Sequence, residues 1–147
     1  MKSVALLPLL LCLPACGTIT DWREMQTAPM TFGECWEGFV YIATHDSFLP
    51  DTSACDRGLG LWQSRWRERQ GDRFRPIRYR LRAEVLLDEG STATGWPIRF
   101  AVEQQTVEDL RHSREPREED WSGAGQDRER EAILGDKLVR RLAPKRP

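Results

Sequence analysis

Arg78-Tyr79-Arg80-Leu81-Arg82-Ala83-Glu84-Val85 alternates a charged with an apolar or aromatic side chain at every step. Successive side chains of a strand point to opposite faces, so Tyr79, Leu81, Ala83 and Val85 face a core. Arg78, Arg80, Arg82 and Glu84 then face solvent or a ligand. A slip of one residue would exchange the two sets, so the register is strongly specified. Downstream, Ile98, Phe100 and Val102 alternate with Arg99 and Glu103. The turn-like stretch 88–95 between the two runs predicts a hairpin with a longer loop. Upstream, Gly38-Phe39-Val40-Tyr41-Ile42-Ala43 is a continuous apolar run, which predicts a strand covered on both faces. Residues 59–70 read equally as helix or strand. From Asp127 onward, Ala132, Ile133, Leu134, Leu138, Val139 and Leu142 form an apolar stripe at helical spacing. The expected fold is mainly β: a small, partly closed β-barrel of the oligonucleotide/oligosaccharide-binding (OB-like) type with a C-terminal helix. The alternative is an α+β fold with a four-stranded antiparallel sheet.

The amino terminus is of another kind. Lys2 is followed by ten apolar or proline residues, from Val4 to Leu13, the length of a signal-peptide core and too short to cross a bilayer. This run ends in Leu13-Pro14-Ala15-Cys16, which resembles the lipobox of bacterial lipoproteins. The resemblance covers four residues and the segment before them, with Pro14 where Ala or Ser is commoner. It implies a diacylglyceryl group on Cys16 and cleavage just before it, leaving an anchor of two or three acyl chains that holds far better than one. Ala15-Cys16-Gly17 also fits an ordinary small-x-small cleavage site that would release a soluble protein. Gly17, rather than Asp, after the cysteine resembles lipoproteins sorted to the outer membrane, where the domain would face the periplasm.

On this reading residues 1–15 are a signal peptide and 16–30 a lipidated tether. Residues 31–112 are a β-rich domain, 113–125 a charged flexible linker, and 126–147 the amphipathic helix and tail. Cleavage removes Cys12 and acylation consumes Cys16, leaving Cys35 and Cys55 as the one pair available for a disulfide in an exported protein. Such a bridge would close a loop of about 20 residues, worth roughly 3 kcal/mol in the chain-entropy estimate.

The formal net charge of −1 gives no whole-protein attraction to anionic partners. Lysine occurs only at Lys2, Lys137 and Lys145; arginine supplies the other positive charges. Eight arginines lie between Arg65 and Arg82, interleaved with Trp62, Trp66, Phe74 and Tyr79. Guanidinium forks pair with phosphate or carboxylate, and aromatic faces take a sugar ring or another guanidinium. Arg78, Arg80, Arg82, Trp62, Trp66 and Tyr79 are therefore the candidate binding residues. Their ligand would be an anionic glycan, a lipid head group or an envelope protein partner; nucleic acid is not expected at that location. Against this, Glu103, Glu108, Asp109, Glu115 and Glu118 to Asp120 can pair with the arginines across the fold, each surface pair being worth under about 1 kcal/mol.

The sequence carries no Gly-x-Ser-x-Gly elbow, His-Glu-x-x-His, phosphate loop or Cys-x-x-Cys. Its two histidines are His45 and His112. A Cys-His-Asp grouping around His45 and Asp46 is conceivable, but nothing in the spacing demands it. The expectation is a non-catalytic module without cofactor or metal, with a cell-wall hydrolase as the less favoured reading.

Overall fold

The computed structural model describes residues 20–71 and 75–144. The signal segment, Cys16, Arg73 and Phe74 lie outside the described residues. Element order is β1 (Arg23–Gln26), α1 (Phe32–His45), β2 (Leu61–Gln63), β3 (Arg67–Gln70), β4 (Pro76–Val85), β5 (Pro97–Val107), β6 (Trp121–Gln126) and α2 (Arg128–Leu142). Short 3-10 turns at Leu110–His112 and Glu118–Asp120 connect β5 to β6.

The alternating stretch is β4, and it pairs with β5 over nine residues, from Ile77 opposite Thr106 to Val85 opposite Ile98. Every pairing in the sheet is antiparallel. Each long strand has an outer lane shared by two short ones. Along β4, β2 covers Arg82 to Glu84 and β3 covers Pro76 to Tyr79. Along β5, β1 covers Pro97 to Phe100 and β6 covers Glu103 to Val107. The two outer lanes do not meet. The expected partial barrel is thus replaced by an open six-stranded sheet, four lanes wide, in an α+β fold.

Where the short strands change over, a side chain completes the ladder. Ser64, between β2 and β3, donates its N–H to Leu81 O at 2.8 Å, and its Oγ accepts Leu81 N–H at 2.9 Å. On the other lane, Asp127 N–H donates to Val102 O at 2.8 Å, and Glu131 Oε1 accepts Val102 N–H at 3.0 Å. Leu81 and Val102 are cross-strand partners, so both gaps fall on one row of the sheet. A buried N–H without a partner costs about 1–3 kcal/mol, which explains why a fully buried serine and glutamate sit there.

Both helices pack on the sheet face bearing Tyr79, Leu81, Ala83, Val85, Ile98, Phe100 and Val102. The run Gly38–Ala43, expected as a strand, lies within α1. Its apolar continuity hid a helical stripe, since the buried residues are Cys35, Trp36, Phe39 and Ala43. The helix starts at a capping box: Thr31 Oγ1 accepts Glu34 N–H at 3.2 Å, and Glu34 Oε2 accepts Thr31 N–H at 2.8 Å. It stops where Ser47 takes the left-handed conformation, φ 67°. Gly38 lets the helices touch, because a Cβ there would lie 2.6 Å from Leu142 Cδ2. The C-terminal helix forms as expected, but its buried stripe is Glu131, Leu134, Leu138 and Leu142, whereas Ile133 and Val139 are about half exposed.

The remaining expectations change in detail. The ambiguous stretch 59–70 supplies two strands, β2 and β3. The expected tether contains β1, and the expected flexible linker contains the second 3-10 turn and most of β6. The expected Cys35–Cys55 bridge is absent, both being free thiols. Counting cysteines says nothing of where each sulfur is held. Cys35 is fully buried in the core, while Cys55 Sγ donates to Gln63 O at 3.3 Å and accepts Gln63 N–H at 3.4 Å. Burial pushes the Cys35 thiol up to about 11. Thiol-reactive reagents at pH 8 should therefore modify half-buried Cys55 first and reach Cys35 only on unfolding, as peptide mapping will show.

Candidate functional site

Neither α1 nor α2 covers the opposite face of the sheet, which carries the even-numbered side chains of β4. Their cross-strand neighbours on β5 are complementary: Arg78 faces Gln105, Arg80 faces Glu103, and Glu84 faces Arg99. Arg80 Nε and Arg82 Nη1 each donate to Glu103 at 2.7 Å. Arg99 Nε donates to Glu84 at 2.6 Å. Arg78 Nε donates to Gln105 at 2.7 Å, while its two terminal nitrogens grip the exposed Glu118 carboxylate at 2.8 and 2.5 Å.

Tryptophans interleave with these guanidinium groups. Trp121 and Trp66 lie on Arg78 at 4.6 and 4.7 Å from the guanidinium carbon, and Trp66 also meets Arg80 at 4.4 Å. Trp22 lies against Arg82 at 5.6 Å and Arg99 at 5.2 Å. The layer thus runs Trp121, Arg78, Trp66, Arg80, then Arg82, Trp22 and Arg99, with Glu103 joining its two halves. Cation–π contacts of this kind contribute about 0.5–1 kcal/mol when exposed and more when desolvated.

Of the six residues expected to bind, the structure groups four on this face: Arg78, Arg80, Arg82 and Trp66. Trp62 and Tyr79 belong to the helix side. Trp62 packs edge-on to Phe39 at 5.4 Å, and Tyr79 meets Phe48 at 5.9 Å and the Arg130 guanidinium at 4.0 Å. Period-two alternation already assigned Tyr79 to the core. Arg78 is only 5% exposed and uses all three nitrogens, so it clamps the layer and is not an accessible contact. Trp22 and Trp121 were missed as members of the face, since nothing local in their surroundings points to β4. Comparison with protein-family models, curated proteins and solved structures finds no match to this chain.

The partners of these arginines come from the expected acidic stretch, Glu103 from β5 and Glu118 from the second 3-10 turn. Arg80 and Arg82 commit one nitrogen each to Glu103 and keep further N–H groups for an anion. Beside them lies an open groove of 480 Å³ lined by Thr20, Arg80, Arg82, Glu103, Gly125 and Arg128, among others. Arg128 is already paired with Asp21 and Glu131, which leaves Arg80 and Arg82 sharing the one carboxylate of Glu103 in this part of the face. Elsewhere, His45 is exposed and stacked on Tyr41, its Nδ1 2.8 Å from Tyr41 O, and Asp46 is held by Lys137 Nζ. The residues of the conceivable Cys-His-Asp grouping are thus engaged separately.

Burial pushes the Glu103 carboxyl up, but hydrogen bonds from Arg82 and Arg80 outweigh it and hold the net value below the ordinary glutamate range. Hydrogen bonding from Arg78 likewise holds Glu118 low. A carboxyl lowered in the folded state stabilises fully above its unfolded value, about 4.3, and loses that contribution as pH falls through its folded value. Urea unfolding between about pH 6 and pH 3 should show this fall, and Glu103→Gln should reduce its slope.

Proposed function

We propose that this chain is a membrane-anchored lipoprotein of the bacterial envelope, acylated at Cys16, that acts as a non-catalytic interaction or assembly module at the outer membrane, facing the periplasm. The lipobox-like segment supports the address. The observation that carries the activity is the Arg/Trp layer: guanidinium and indole groups interleave across the sheet face that neither α1 nor α2 covers. Surfaces rich in Arg and Trp form the energetic centres of protein interfaces because they combine large contact area with directed hydrogen bonds.

A second reading, binding of an anionic envelope glycan or lipid head group, is favoured by the groove where Arg80 and Arg82 share the single carboxylate of Glu103. Both readings predict that Arg82→Gln weakens recovery of the native neighbour in cell crosslinking while the domain stays folded. Arg82 suits this test because its side chain is 40% exposed and Arg80 still pairs with Glu103 without it. Unchanged recovery, or an intact mass without diacylglyceryl on Cys16, would refute the proposal.

A further inference from the structure

The path of the chain into the domain restricts which face can lie on the membrane. Trp22 sits on Arg82 and Arg99 on the Arg/Trp face, and Thr20 lines the groove beside Arg80 and Arg82. Asp21 is fixed between them: its N–H donates to Gln126 Oε1 at 2.9 Å, and its carboxylate accepts from Arg128 Nη2 at 2.5 Å. The chain therefore enters the fold from the Arg/Trp side, displaced onto that face where β6 takes over the lane next to β5. Residues 17–19 alone separate Cys16 from Thr20. Fully extended at about 3.5 Å per residue, they hold Cys16 within roughly 14 Å of Thr20.

We infer that the Arg/Trp face lies on the leaflet that holds the lipid on Cys16, with lipid phosphates against Arg80 and Arg82 in the groove. This rests on acylation of Cys16. So short a connection presents the entry side of the domain to the bilayer and turns both helices away from it. The chemistry of the face suits the location. Indole rings settle at the head-group level of membranes, and Trp22 is the half-buried one next to the anchor. Arg80 and Arg82 commit one nitrogen each to Glu103 and keep unused N–H donors for phosphate. Glu103 makes the face a weak anion binder in free solution. Tethering removes the need for strength, since a short linker raises the effective concentration of head groups to the millimolar range or above.

The test uses full-length protein purified with its acyl chains and reconstituted into vesicles of phosphatidylethanolamine and phosphatidylglycerol, against vesicles of phosphatidylcholine alone. Hydrogen exchange is followed at residues 20–25 and 122–125, with quenching of tryptophan by nitroxide head groups as a second readout. The expected result is slowed exchange at both segments and quenching that falls in Trp22→Phe. The preference for anionic vesicles should fall roughly fivefold in Arg82→Gln and decline with added salt. Melting curves verify that both variants fold, and Arg82→Lys should retain most of the preference. Exchange and quenching that do not differ from detergent-solubilised protein, in material whose mass confirms the lipid, would overturn the docking and leave the anchor standing. A mass without the lipid would remove the anchor reading, and the docking with it. Protection that needs added wall fragments or envelope protein would refute the head-group assignment.

Discussion

Glu131→Ala is expected to lower the unfolding free energy by about 2–4 kcal/mol, a large share of what a domain of this size possesses. Glu131 is fully buried at the start of α2 and accepts hydrogen bonds from Val102 N–H, Gln126 Nε2 and Arg128 Nη1, at 3.0, 2.8 and 2.9 Å. Truncation leaves the Val102 amide without an acceptor at the gap between β1 and β6 and opens a cavity beneath the helix. Glu131→Gln should cost roughly half as much, because one amide oxygen can still serve Val102. Ser64→Ala removes the matching acceptor on the other lane and should cost about 1–3 kcal/mol. Chemical denaturation measures all three. A change below about 0.5 kcal/mol for Glu131→Ala would show that the gap is closed in some other way.

Arg78→Ala is expected to destabilise by about 2–4 kcal/mol and to alter the tryptophan fluorescence at the same time. The change removes the cation between Trp66 and Trp121, the bond to Gln105 and the fork on Glu118. These groups join β3's approach, β6 and the 3-10 turn to the start of β4. Arg78→Lys should recover little of the loss, since an ammonium is neither planar nor forked and cannot serve two indoles and a carboxylate together. Near-UV circular dichroism of the folded variant distinguishes loosening of this layer from general unfolding. A variant retaining both the spectrum and the stability of the parent would show that the clamp is unnecessary. Because the expected loss is structural, Arg78 is a poor probe of binding, and Arg82 is the better one.

The hairpin was legible because its information is local. Strict alternation at 78–85 and again from Ile98 to Val102, with a turn-rich stretch between, leaves little choice of register. The C-terminal helix was legible for the same reason. The run 38–43 was not, because a continuous apolar stretch has no period of its own. Its helical nature lies in residues before it, where Thr31 and Glu34 form the cap and Cys35 and Trp36 begin the stripe. The barrel expectation failed on a non-local matter: whether the outer lanes meet depends on four short strands and two helices competing for the edges and one face of the hairpin.

The site divides along the same line. Arginines alternating on β4 had to share a face, and the sequence alone placed Arg78, Arg80 and Arg82 there. Period-two geometry equally put Tyr79 on the opposite side, despite its neighbours. Only tertiary structure could bring Trp22, Trp66 and Trp121 onto those guanidinium groups, seat Glu103 between Arg80 and Arg82, and bury Arg78 as a clamp. Alternation is a property of consecutive residues, whereas stacking and ion pairing depend on distances between strands far apart in the chain. Those distances exist only once the chain has folded.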